Sequence, residues 1–258
     1  MSPVSASAVS ELRARTGVSI LACKEALEEA NGDMDKAIEI LRKRGIAQAV
    51  KKADREQKEG ALFIASSADK AAIVGLRCET DFVGRSDAFV AIGNELAQTL
   101  LTKGLDAAKA AAEKSVPEAT QKLGENIGLG EMQEVTAPTV GAYVHSNRKI
   151  AVVVGLDKAG LVDAARDVAM HAAAMNPLYV TPDEVPAETI AKEKEIWKEQ
   201  MKNDKKPPEI LEKIMLGKEK KFREENALLK QAFVKDNSQT VEKFLGDAKV
   251  ASYVRVVI

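Results

Sequence analysis

The chain has 258 residues, 45% hydrophobic and 30% charged, enough for a sizeable core and about two domains. A formal net charge of −1 and 4% aromatic residues argue against a global field for nucleic acid or anionic membrane and against an aromatic base-stacking platform. The run MSPVSASAVSELRARTG lacks the apolar region of a signal peptide, IAVVVGL is too short to cross a bilayer, and Cys23 and Cys78 are the only cysteines, so a cytoplasmic chain without a structural disulfide is expected.

The first segment predicts three short helices. Ser7 is placed to cap one carrying Val9 and Leu12 and ending at Thr16-Gly17. Ser19 caps a second, with Ile20, Ala22, Cys23 and Leu27 on one side, ending at Asn31-Gly32. Asp33 caps a third, with Met34, Ala37, Ile38 and Leu41 at helical spacing, ending at Gly45. Such a bundle buries little by itself, which suits an interaction module. The charged QAVKKADREQKEG that follows has no apolar stripe and reads as a linker helix or tether.

The centre holds an internal repeat. Residues 60–76, GALFIASSADKAAIVGL, and 141–156, GAYVHSNRKIAVVVGL, both begin Gly-Ala, turn through polar residues and return to Val-Gly-Leu. Each predicts a β-hairpin, followed by a helix: SDAFVAIGNELAQTLL in the first copy, LVDAARDVAMHAAAM in the second. EMQEVTAP and SYVRVVI are the candidate returning strands. The fold class expected is therefore α+β: a helical bundle over 1–55, a core subdomain over 56–140, and a second over 141–182 plus 229–258. The second copy is interrupted over 183–228 by charged helical sequence. Ile190, Trp197 and Met201 mark one seam and Ile210, Ile214 and Met215 another, with NDKKPP turning the chain between them. This antiparallel hairpin, or coiled coil, is either a solvated arm or a contact surface for a partner or second copy.

Catalytic chemistry finds little support. There is no GxxxxGK[ST], GENIGLGEM lacks the GxGxxG spacing, and neither HExxH nor paired CxxC occurs. His171, in VAMHAAAM, reads as a packed histidine; His145, at a hairpin tip, is a partner contact or merely solvated. The stretch LRCETDFVGRSDAF sets a thiol beside carboxylates. Glu79 and Asp81 would raise the pKa of Cys78, which reads better as a core residue than a nucleophile. Asp81-Phe82 is either a turn aspartate with a buried phenylalanine, or an exposed pair that enters a partner's groove.

Several segments in order then resemble one family, bacterial elongation factor Ts, the guanine-nucleotide exchange factors for elongation factor Tu. ELRARTGVSILACKEALEEANGDMDKAIEILRKRG is similar to its ubiquitin-associated-like domain, and TDFV to its signature turn. KLGENI, GAYVHSNRKI, DVAMHAAAMNP and FVKDNSQTV follow in family order, so that the resemblance covers nearly the whole chain. It implies that Asp81 and Phe82, flanked by Thr80 and Val83, press on the GTPase near its nucleotide and magnesium. It implies further contacts at Lys24, at Leu123 and Gly124, at His145 and at Val234. Leucine at 123 replaces a more usual isoleucine, and Lys235 stands where some relatives carry methionine. Some relatives add a C-terminal helix after the segment matching SYVRVVI. The resemblance implies a translation factor in protein biosynthesis without covalent chemistry and without its own cofactor, acting on the partner's GDP and Mg²⁺. Its partner would be elongation factor Tu, in a complex that could include a homodimer or 2:2 assembly, with no direct nucleic acid or membrane contact.

Overall fold

The computed structural model describes residues 4–202 and 207–258. Helices mix with small antiparallel sheets along the chain, the α+β class expected. Helices α1 (Ala6–Thr16), α2 (Ile20–Glu29) and α3 (Met34–Lys52) pack around Leu12, Cys23, Leu27 and Leu41. Ser19 caps α2, its Oγ accepting from the Ala22 N–H at 3.3 Å, and Asp33 caps α3 by accepting from the Lys36 N–H at 3.0 Å.

Two helix ends differ from expectation. Ser5, not Ser7, caps α1: its Oγ accepts from the Ala8 N–H at 3.2 Å, while Ser7 lies inside the helix and shares a 2.9 Å bond with Ser5. A cap needs extended dihedrals, and Ser5 has them at φ −72° and ψ 145°. Helix α3 passes through Gly45 and ends at Lys52, absorbing the start of the expected tether. Gly45 serves close approach rather than termination, since a Cβ there would lie 2.7 Å from Gln121 Oε1.

Both hairpins form. In the first copy β1 (Glu59–Ser66) pairs with β2 (Lys70–Cys78), and β3 (Gly128–Thr136) returns beside β2. Between them run α4 (Asp81–Gly84), α5 (Asp87–Lys103) and α6 (Leu105–Leu123). In the second copy β4 (Thr139–Val144) pairs with β5 (Ile150–Leu156), and α7 (Val162–Met175) follows. After the hairpin α8 (Ala187–Gln200) and α9 (Pro208–Asn226) come a small ribbon, β6 (Ala232–Phe233) with β7 (Asp236–Thr240), and α10 (Val241–Leu245). Strand β8 (Val250–Val257) then closes the second sheet beside β5.

Strand pairing corrects how the repeat is aligned. Gly75 pairs with Leu62 and Gly155 with Val140, so Phe63 corresponds to Gly141 and the two Gly-Ala starts are not equivalent. The Val-Gly-Leu glycines are equivalent. Each sits at a register shift against its returning strand, between Val74 and Leu76 in one sheet and between Gly155 and Leu156 in the other.

The layers follow from the two-residue period of a strand. Ala61, Phe63, Ala72, Val74 and Leu76 face α5 and α6, whereas Leu62 and Ile73 face the second sheet. Val152, Val154 and Leu156 face α7, whereas Ala151 and Val153 meet the first sheet. The order is helix, sheet, sheet, helix, with one apolar cluster shared between the sheets. Burial on both faces is why AAIVGL and IAVVVGL read as unbroken apolar runs.

Helix α6 carried no expectation over 105–119, and Pro117 lies inside it. It buries Ala108, Ala112 and Ala119 against the first core, and its outer side receives the N-terminal bundle through an Arg42–Glu118 ion pair at 3.3 Å. In the inserted hairpin the first seam is buried at Ile190 and Trp197, with Trp197 edge-on to Phe222 at 5.9 Å. The second seam is not. No residue of α9 is fully buried, Ile214 and Met215 are half-covered, and Ile210 is exposed. The expected NDKKPP turn falls largely on 203–206, outside the described residues, while Pro208 occupies the first turn of α9. Arg223 ties the root of the hairpin by donating to the Pro182 and Val185 carbonyls, each at 3.1 Å.

Candidate functional site

TDFV forms more than a turn. Thr80 caps the single-turn helix α4, its Oγ1 accepting from the Val83 N–H at 3.4 Å, and Ser86 then caps α5 from the Phe89 N–H at 3.4 Å. Two helix starts so close in sequence force the chain into a sharp projection. Val83 turns inward onto the first core and Gly84 is buried, leaving Phe82 outward at 84% exposure. A phenylalanine this open gains nothing from its own fold. Asp81 is half-exposed and pairs with Arg85 one turn on, at 3.1 Å.

Cys78 lies beneath this projection, fully buried, its Sγ donating to the Thr80 carbonyl at 3.1 Å. Its pKa is pushed up to about 11, first by burial and then by the charge of Glu125. Glu125 and not Asp81 is thus the main carboxylate acting on it, and the thiol stays protonated as packing. Among the described residues no cluster of three or more His, Cys, Asp or Glu is placed to hold a metal, and no helix is long and apolar enough to cross a membrane.

The predicted pair Leu123 and Gly124 lies at the end of α6, Leu123 half-buried against the first core and Gly124 exposed in the left-handed conformation at φ 80°. The structure brings this segment against TDFV. Glu125 Oε2 accepts from the N–H groups of Glu79 and Thr80, both at 3.0 Å, and its Oε1 accepts from the Thr80 hydroxyl at 2.5 Å. The Asn126 N–H donates to Glu79 Oε1 at 2.6 Å. Sequence reading missed Glu125 and Asn126, because a carboxylate that satisfies distant backbone donors looks like any surface carboxylate in a linear string.

His145 is exposed at the tip of the second hairpin, its Nδ1 3.1 Å from the Tyr143 hydroxyl. The next residues reach back across the first copy. Lys149 Nζ pairs with Glu59 and donates to the Gly60 carbonyl at 2.8 Å, and the Arg148 carbonyl accepts from the Leu62 N–H at 2.8 Å. A cleft of about 820 Å³ opens there, lined by Gly60, Asp81 and Arg85 from one copy and Ser146, Asn147 and Arg148 from the other. Asp81 and the residues just after His145 at the second hairpin's tip therefore line one cleft, though Ser146 follows Asp81 by 65 residues in sequence.

Val234 is at a distance in sequence from this cleft and exposed on the β6–β7 turn. Its N–H donates to His171 Nδ1 at 3.1 Å, so the neutral ring carries its proton on Nε2 and donates to Gln231 Oε1 at 2.9 Å. The buried histidine of the apolar helix thus positions a predicted contact. Lys235, its neighbour, is bound to Asp167 at 2.6 Å. Burial holds the imidazole below its ordinary value, partly offset by the Gln231 hydrogen bond. With the folded pKa below the unfolded one, the neutral ring contributes stability that is fully present above about pH 6.5 and is lost as pH falls toward the folded value. Thermal melts from about pH 7 down to pH 5 should show a falling midpoint, and His171→Gln should flatten that slope.

Lys24 is on the outer side of α2, pairing with Glu28 at 3.7 Å, next to exposed Ile20 and Leu21. It belongs to the bundle and, among the described residues, makes no hydrogen bond or ion pair with α4.

Comparison with known proteins agrees with these segments. The family described as Elongation factor TS matches residues 79–258. A protein named Elongation factor Ts from Christiangramia forsetii is 39% identical over 273 aligned positions covering all of both chains. One from Teredinibacter turnerae is 45% identical, covering 92% of this chain and 84% of its own, and one from Deinococcus deserti is 42% identical, covering 97% and 98%. The match takes in the capped TDFV turn, the segment clamped to it and both sheets, and on this ground the chain belongs to the elongation factor Ts family.

Proposed function

We propose that this chain is the guanine-nucleotide exchange factor for elongation factor Tu, a binding protein that does no covalent chemistry. The observation that carries the reading is Phe82, held 84% exposed on a capped turn in a chain of this family. In the proposed complex Phe82 enters the GTPase near the loops that hold GDP and Mg²⁺, with Asp81 beside it. Magnesium requires near-ideal octahedral geometry, so a small displacement of its ligands weakens the nucleotide. Coupling is reciprocal: GDP weakens the factor's hold by the same free energy with which the factor weakens GDP, and GTP expels the factor through its own coupling of the same kind. A coupling of about 4 kcal/mol corresponds to a release about a thousandfold faster if it is expressed in the off-rate.

Anchoring comes from elsewhere in this proposal. Lys24 on a ubiquitin-associated-like bundle, Leu123 and Gly124, His145 and Val234 would hold the GTPase while α4 deforms its site. The factor would act in the cytoplasm, without cofactor, nucleic acid or membrane, in a complex that could include a homodimer or 2:2 assembly. The helical hairpin would serve partner contacts. Mixing the chain with elongation factor Tu loaded with fluorescent GDP, and following release by stopped flow with and without Mg²⁺, tests it. Accelerated release saturating with the chain is expected; tight binding at the unassisted rate would instead make the protein a scaffold.

A further inference from the structure

Phe82 stands on a helix of one turn, and a single turn has no stability of its own. Something outside the turn must hold it. Among the described residues, the Glu125 carboxylate takes its hydrogen bonds from the two residues that enter α4: the N–H groups of Glu79 and Thr80 and the Thr80 hydroxyl. A hydroxyl has one proton to give. By drawing that proton to itself, Glu125 leaves the Thr80 lone pairs facing the Val83 N–H, so it also sets the orientation of the cap. An ionised acceptor makes these bonds stronger than neutral ones.

The residues on either side of Glu125 face the other way. The Gly124 carbonyl accepts from Lys52 Nζ at 2.6 Å, at the last residue of α3. Asn126, nearly fully buried, donates through Nδ2 to the Ala53 carbonyl at 3.3 Å and the Arg55 carbonyl at 2.8 Å. Arg55 in turn reaches Glu79 at 3.4 Å. Three consecutive residues therefore join the exit of the N-terminal bundle to the entry of the turn that presents Phe82.

We propose that Glu125 is a positioning residue for exchange: it holds Asp81 and Phe82 at a fixed angle relative to the docked bundle, with Asn126 completing the link. The inference rests on the exchange reading above, and its test separates the two. GDP release from elongation factor Tu is measured against concentration of the full chain, for the parent and for Glu125→Ala, Glu125→Gln, Phe82→Ala and the Glu125→Ala/Phe82→Ala double variant. Glu125→Ala should lower the saturating rate about tenfold with little change in half-saturating concentration. Glu125→Gln keeps one acceptor oxygen and should fall between. Since Glu125 works largely through Phe82, its substitution should cost much less in the Phe82→Ala background than in the parent.

An additive loss in the double variant, or a normal saturating rate in Glu125→Ala, overturns the positioning role alone. Release at the unassisted rate with the parent chain overturns the exchange reading itself, whereas an unchanged rate in Phe82→Ala removes the ring from the mechanism and with it the route assigned to Glu125. Hydrogen exchange on the free chain gives a readout that needs no partner. Glu125→Ala should speed exchange at the Glu79 and Thr80 amides while β1 and β2 stay protected. Loss of protection across the whole first sheet would show Glu125 to be a general fold element and would also overturn the inference.

Discussion

Phe82→Ala should slow GDP release at saturating factor by about thirtyfold, the effect of about 2 kcal/mol expected of an aromatic anchor that fills a partner's groove. Fold stability should hardly move. The ring is 84% exposed, and surface substitutions away from caps and cores stay within about 0.5 kcal/mol. The neighbouring Val83 behaves oppositely because it packs against the first core: Val83→Ala should lower the unfolding midpoint. Stopped-flow release and a thermal melt on the two variants separate these roles. A Phe82→Ala chain that melts early, or that exchanges at the parent rate, would remove the ring from the mechanism.

Gly141→Ala should be among the most damaging single-methyl changes, about 3 kcal/mol by denaturant titration. A Cβ at this strand position would lie 2.1 Å from the Arg166 amide nitrogen and 2.2 Å from the Ala165 carbonyl carbon, so the backbone of α7 itself would have to move. Gly93→Ala is the counterpart in the first copy. Alanine in a helix interior normally gains about 1 kcal/mol over glycine, but here the new Cβ would sit 2.2 Å from the Phe63 ring. The obstacle is a side chain, so Phe63→Leu in the Gly93→Ala background should recover part of the loss. No side-chain substitution should recover Gly141→Ala. Equal rescue in both copies, or a neutral Gly141→Ala, would contradict the close approach.

These two glycines show how one architecture is met with opposite sequences. Strand pairing makes Phe63 and Gly141 equivalent. In the first copy the strand supplies bulk and the helix supplies the gap; in the second the strand supplies the gap. The repeated Gly-Ala letters set Gly60 opposite Gly141, because an exchange of volume between layers leaves no mark in the letters themselves. The Val-Gly-Leu motif survived as a guide because both copies need a glycine at the same register shift.

Local chemistry was legible wherever neighbours in sequence settle the structure. Ser19 and Asp33 as caps, the hairpins, the packed Cys78 and the apolar faces of α5 and α7 all follow from residues within a turn or two. The cap of α1 was misplaced by two residues because three serines compete there and only backbone dihedrals choose among them. Helix α6 is hard to read in the sequence, since Pro117, a residue type that usually ends a helix, lies inside it, yet its alanines pack against the first core and it receives the N-terminal bundle.

The sequence by itself determined the class, the repeat and the family, since periodicity, turn residues and ordered motifs are properties of the linear chain. Whether Phe82 is buried or exposed was decided only by tertiary structure. Val83 and Gly84 take the buried positions of α4 and Cys78 fills the space beneath, so the ring has no place inside. The hold of Glu125 on Thr80, and of His171 on Val234, spans 45 and 63 residues of sequence. Such bonds form because folding leaves backbone donors facing one another's side chains, and a buried donor without a partner costs more than the bond returns.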